Sequence, residues 1–229
     1  MDRSPLWRAR AQALTHLSRD RPEYAKIVED LFALVDECID AYERGARNSQ
    51  YARVCGLTTL KAKNLGLGAY SLILDGLGQE AGALLRPFIE YTELLTYFKR
   101  YPDKVGEAEN GSLPPAGARA KAIGGIYREL REHLNAHASH SSYSKYSLSH
   151  LFERGSSRFK KLQHADPTVL ERNVRDFAIQ LYLLVHEATL GLEPLSMTDL
   201  RSIGGKADTV HERLTAIFEL GQARSDDPV

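Results

Sequence analysis

The stretch Gln79–Tyr101, QEAGALLRPFIEYTELLTYFKRY, decides the fold. Leu84, Leu85, Phe88, Ile89, Tyr91, Leu94, Leu95 and Phe98 cover most of the surface of a helix built from it. A helix that is apolar nearly all round belongs at the centre of a bundle, with other helices covering it. Its polar groups fall in one stripe, Arg86, Glu90, Glu93 and Tyr97, at i, i+4, i+7 and i+11. Arg86 and Glu90 are placed to pair four residues apart. The stripe is either a narrow solvent face or the wall of an internal polar cleft. Pro87 kinks this helix or marks its true start, and Pro102 closes it.

Outward from that centre the helical signals continue. Ser4-Pro5 opens an N-terminal helical arm within residues 1–20, with Ser4 as its cap. Asp20-Arg-Pro-Glu23 reads as an acidic variant of a capping box. It starts a helix whose apolar residues Tyr24, Ile27, Leu31, Leu34, Cys38 and Tyr42 recur every three or four positions, up to about Gly45. A third helix covers Tyr51 to Leu74, and its Gly56, Gly66, Gly68 and Ala69 predict close approach by a neighbouring backbone. After a loop or short helix over 103–117, the spacing predicts a helix from about Ala118 to Ala138. Residues 139–164 are a Ser-rich basic loop. Asp166-Pro167 caps a helix to about Leu190, a last helix runs from Ala207 to Leu220, and 222–229 form a flexible tail. No strand-like alternation and no internal repeat appear. The expectation is a single all-α domain over 1–229, a bundle of five to seven helices.

Composition narrows the partners. Thirty Lys and Arg balance thirty Asp and Glu, so no global field recruits nucleic acid or anionic lipid, and any such contact is a local patch. Two cysteines, Cys38 and Cys55, make neither a disulfide framework nor a zinc knuckle. With no signal-peptide pattern read at the N-terminus, the expected compartment is the cytoplasm. The most apolar stretch, Phe177–Val185, is about half a membrane span and contains Gln180, so no membrane partner is expected.

Chemistry concentrates in Tyr127–His140, YRELREHLNAHASH, where His133, His137 and His140 sit at i, i+4 and i+7. On a continuous helix the apolar face is Ile123, Ile126, Leu130 and Leu134. His137 falls inside it, His133 and His140 at its edge, and Arg128 and Arg131 on the far side. A buried imidazole needs a partner, and Glu90 or Glu93 can supply one. Metal binding, metal-free phosphodiester chemistry and a simple binding cleft all remain open. For a metal, Leu134 occupies the place where a zinc hydrolase helix carries Glu, and Glu90-Tyr-Thr-Glu93 has no His at the ferritin-type offset. Without a metal, a histidine serves as acid or base on a ribose hydroxyl while an arginine neutralises phosphate charge.

Arg128-Glu-Leu-Arg-Glu-His133 and Arg131-Glu-His-Leu-Asn-Ala-His137 fit the R-x4-6-H signature. In this the chain resembles the HEPN superfamily, all-α proteins common in bacterial toxin–antitoxin and phage-defence systems. Asp75–Glu90, Tyr127-Arg-Glu-Leu and His137-Ala-Ser139 are also similar to uncharacterised bacterial helical proteins with a "G-x-x-x-E-A-x-x-x-x-R-x-x-x-E" helix and a later "Y-x-x-L…H-x-S" segment. That likeness covers roughly Ala62 to Ser142. The resemblance implies a HEPN-like bundle, a homodimer, and in catalytic members a metal-independent RNase leaving a cyclic phosphate. Carried over, His137 is the acid/base and Arg131 the phosphate clamp, with His133 and His140 beside them. The basic residues Lys145, Arg154, Arg158, Lys160 and Lys161, interleaved with Tyr143, Tyr146, Phe152 and Phe159, suit single-stranded RNA. His186, on the apolar half of its helix near Tyr182, reads as a core residue or as one that supports the site from behind. The leading reading is therefore an RNA- or nucleotide-directed bacterial defence or toxin–antitoxin protein with a protein partner or antitoxin. It assigns no cofactor and no metal, and its cleft is Arg86, Glu90, Glu93, Tyr97, Lys145 and Arg158. The alternatives are a non-catalytic helical module that binds a partner or small ligand, and a His/Glu metal-dependent enzyme.

Overall fold

The computed structural model describes residues 7–137, 151–152, 158–159, 166–195 and 200–218. Ser4, the tail 222–229, and most of the Ser-rich segment, including His140 and Lys145, lie outside the described residues. The described residues form an all-α bundle with no strand, only an isolated antiparallel bridge between Phe152 and Phe159. Six helices are long: α1 (Arg8–Arg19), α2 (Pro22–Ala46), α3 (Gln50–Leu74), α4 (Gly78–Arg100), α8 (Pro167–Leu190) and α9 (Leu200–Ile217). Between α4 and α8 run three shorter ones, α5 (Val105–Glu109), α6 (Ala116–Ala122) and α7 (Arg128–His137).

Local chemistry sets the ends. The Ser49 hydroxyl accepts from the Ala52 N–H at 3.2 Å and starts α3. One Asp166 oxygen accepts from the N–H groups of Thr168 and Val169 at 3.0 and 3.3 Å and starts α8. The capping box expected at Asp20 does not form. Arg21 is the cap residue of α2 with no side-chain bond, and the Asp20 carboxylate lies 3.0 Å from Nδ1 of His16 instead. Pro87 sits inside α4, which begins nine residues earlier at Gly78.

As its pattern requires, α4 is central, packed against α3, α7 and α8. Its Phe88 and Phe98 are fully buried, as are Phe177 of α8 and Tyr42 of α2. The α3 glycines mark close approach: a Cβ on Gly66 would stand 3.2 Å from the Phe88 ring, and one on Gly56 2.9 Å from Cβ of Tyr42. The Tyr42 hydroxyl donates to the Ala188 carbonyl at 2.8 Å, satisfying one of the open acceptors in the last turn of α8. At the edges, Arg10 holds Asp75 through two hydrogen bonds of 2.7 and 2.6 Å, joining α1 to the end of α3, and Arg213 holds Asp30 at 2.7 Å.

The helix expected over 118–138 is two helices. Gly124 and Gly125 take positive φ of 87° and 68°, a left-handed backbone that stops α6 and re-aims the chain into α7. The Ala122 carbonyl at that break accepts from Arg100 at 3.2 Å and from the Tyr101 hydroxyl at 3.4 Å, which fixes the break against the end of α4.

Candidate functional site: a buried polar seam between α4, α7 and α8

The break resets which residues of the histidine helix face inward. Tyr127 and Leu134 are buried and Leu130 packs on the core, whereas Ile126 is 58% exposed. Arg131 shares their face, at i+4 from Tyr127. It therefore does not point to the far side with Arg128, as a continuous helix would require. Its Nη1 lies 3.2 and 3.5 Å from the two carboxylate oxygens of Glu93 on α4. The two side chains are only 14% and 3% exposed, so this ion pair is largely cut off from water. Burial pushes the Glu93 carboxyl above its ordinary value. Arg131 opposes that, Glu90 adds to it, and Arg119 opposes it more weakly.

A second buried acid lies on the other side of Tyr127. The Tyr127 hydroxyl donates to Oε1 of Glu187, on α8, at 3.1 Å. Burial, and then the Glu187 charge, hold the phenol well above its ordinary value. Lys99 on α4 stands 3.7 Å from Oε2 of Glu187, an attractive distance but too long for a hydrogen bond. Among the described residues, Oε2 of Glu187, Nε of Arg131 and Nε of Arg86 are buried and find no hydrogen-bond partner. The seam thus joins three helices through charge and is under-satisfied at several points.

Of the predicted site residues, the structure brings Arg131 to Glu93 and Arg86 to Glu90, the latter at 3.5 Å. The polar stripe of α4 is not a narrow solvent face, since Glu93 and Tyr97 are buried. Tyr97 packs its ring on Phe98 and Tyr101. His133 is exposed on α7. His137 is the last residue of that helix, and its side chain is outside the description. A straight helix turns through six residues between Arg131 and His137, leaving them about 120° apart around the axis. Arg158 is exposed next to Phe159, which is 68% exposed.

His186 is not a core residue. It is exposed, and Tyr182 stacks on His211 with ring centroids 4.7 Å apart, so the inward position one residue along α8 falls to Glu187. Tyr127, Glu187 and Lys99 are the site residues that sequence reasoning missed. The available signal was a single acid within the apolar run at the end of α8.

Among the described residues no three His, Cys, Asp or Glu side chains converge to hold a metal ion, and no helix is long and apolar enough to cross a membrane. Cys38 and Cys55 are buried, and burial pushes their thiols up to about 11 and about 12, which leaves them unreactive at neutral pH. The chain was compared with protein-family models, curated proteins and solved structures. None of them matches. The HEPN-like resemblance therefore stands on the motif residues alone.

Proposed function

We infer that this chain is an RNA- or nucleotide-directed helical binding protein of the HEPN-like type, working in bacterial defence or a toxin–antitoxin pair in the cytoplasm. In this reading it binds rather than cleaves. The observation that carries it is the Glu93–Arg131 pair. An arginine neutralised by a buried carboxylate is a poor phosphate clamp, because taking on a phosphate would strand Glu93 as an uncompensated buried charge. Arg131 is then a positioning residue. It fixes α7 on α4 so that the outer side of α7, with Arg128 and His133, faces solvent. Ligand contact is assigned to that side and to the exposed Arg158–Phe159 pair, a cation beside an aromatic ring, which is the combination that takes single-stranded RNA. The sequence adds His137, His140 and Lys145 to the ligand contacts of this reading, and its further partner is a protein or antitoxin.

The metal-independent RNase is a second reading, favoured by one observation. Among the described residues Nε of Arg131 is buried with no acceptor, so the guanidinium keeps one donor that Glu93 does not use. The test is cleavage of a mixed single-stranded RNA pool with and without EDTA, beside His137→Ala. Binding without cleavage is expected. EDTA-resistant cleavage that disappears in His137→Ala would establish the second reading. Cleavage that EDTA abolishes would point instead to a metal site beyond the described residues.

A further inference from the structure

Arg131 does not hold α7 alone. Tyr127, one turn earlier and just before the helix begins, is buried, and its hydroxyl reaches α8 rather than Glu93. Glu187, which accepts from it at 3.1 Å, is itself only 6% exposed. Thr96 of α4 lies beside the same phenol. The Tyr127 hydroxyl therefore sits where three helices meet.

The two contacts differ in what they can fix. An arginine reaches its partner through a long, flexible side chain and can keep contact while its helix turns. Tyrosine is a rigid ring on far fewer torsions, and here burial clamps it. Position matters as well. Gly124 and Gly125 re-aim the chain, the Arg128 N–H donates to the Gly125 carbonyl at 2.9 Å, and Ile126 is exposed. Tyr127 is thus the first side chain after the break to enter the core. Once it is held, helical spacing turns Leu130, Arg131 and Leu134 inward. The same spacing leaves Arg128 and Glu132 outward, with side chains 72% and 69% exposed.

Glu187 fits this role better than a role in stability. A carboxylate inside an apolar run is costly, and an apolar side chain of similar volume would pack there at less expense. Among the described residues its Oε2 finds no hydrogen-bond partner, and Lys99 stands off at 3.7 Å. What the acid adds is direction, since Oε1 accepts from the Tyr127 hydroxyl only when α7 is turned one way.

We propose that Tyr127 is the positioning residue that locks the rotation of α7, through its hydrogen bond to Glu187, while the Arg131–Glu93 pair secures a helix already oriented. Only its consequence for RNA rests on the binding surface assigned to α7, because the orientation is read without RNA. The test removes both members of a pair together, so that neither variant strands a buried group. Arg128→Cys and Leu130→Cys report the rotation through their rates of thiol labelling, with the buried Cys38 and Cys55 silent. With both pairs intact, Arg128→Cys should label at least about tenfold faster than Leu130→Cys. That ratio should survive in Glu93→Met/Arg131→Met and fall towards unity in Tyr127→Phe/Glu187→Met, with helical circular dichroism unchanged in both. RNA affinity, measured without the added cysteines, should drop about tenfold in the second pair only. Tyr127→Phe/Glu187→Gln, closer in shape to the native pair, takes its place if the Met variant does not fold. A ratio that the Tyr127 variant leaves intact would overturn the proposal, as would an equal loss in both double variants. A collapsed ratio with undiminished RNA affinity would uphold the lock and count against the RNA surface on α7.

Discussion

Glu93, at 3% side-chain exposure, loses more on leaving water than Arg131 returns, and its raised pKa records that imbalance. The sign follows directly. A carboxyl whose folded pKa stands above its unfolded value contributes most to stability when protonated, and that contribution is lost as pH rises through the folded value. The two partners are therefore unequal targets. Glu93→Gln keeps an oxygen for Arg131 and removes a costly charge, so thermal unfolding at pH 7 should place it within about 1 kcal/mol of wild type. Arg131→Met leaves a buried carboxylate alone and should cost about 3 kcal/mol at pH 7. That loss should shrink as the pH is lowered towards 5, because the isolated Glu93 takes up a proton. A penalty for Arg131→Met that stays constant with pH would mean that Glu93 is not the group it compensates. The sequence indicated that Arg131 and Glu93 were site residues but not that they pair. Their contact depends on the rotation of α7 about its axis, which a residue count along one helix does not contain.

That rotation is set at Gly124 and Gly125. With φ of +87° at Gly124 and open space around it, an added Cβ meets no neighbour, so the cost of Gly124→Ala is backbone strain alone, about 1–2 kcal/mol. Gly56→Ala should cost a similar amount by another route. The α3 backbone conformation suits alanine, but the new methyl would press on Tyr42 at 2.9 Å and force α2 and α3 apart. Chemical denaturation of the two variants checks both figures. Most elements were legible in the sequence where a cap or a period fixed them. Asp166-Pro167 and Leu190 bound α8, Leu74 ends α3, and the glycines of α3 foretell its close packing. The break in the histidine helix is hidden in the sequence, because Ile123, Ile126, Leu130 and Leu134 keep a helical period across it. Only the paired left-handed glycines signal it. At Asp20, the nearby His16 outcompetes the helix terminus for the carboxylate, so a motif that looked like a cap serves a different contact.

Across the described molecule, α7 is fastened to the bundle through α4 and, by Tyr127, through α8. The α2–α8 contact is tied by Tyr42, whose hydroxyl satisfies the Ala188 carbonyl one residue from Glu187. Tyr42→Phe should lower stability by about 1–2 kcal/mol in chemical denaturation, since the group lost is a single buried hydrogen bond. Fold class was legible in the sequence because one nearly all-apolar helix demands a surrounding bundle. Function was less legible, because the same arginines serve either as phosphate ligands or as internal fasteners, and only burial separates the two roles. The most direct measurement is fluorescence anisotropy of a labelled single-stranded RNA titrated with wild-type protein and with the Glu93→Met/Arg131→Met double variant. Removing both partners together strands no charge, so the fold should be retained. The account predicts intact RNA, salt-sensitive binding, and equal affinity for the two proteins. A folded double variant that no longer binds, or a wild-type protein that does not bind even at low salt, would contradict it.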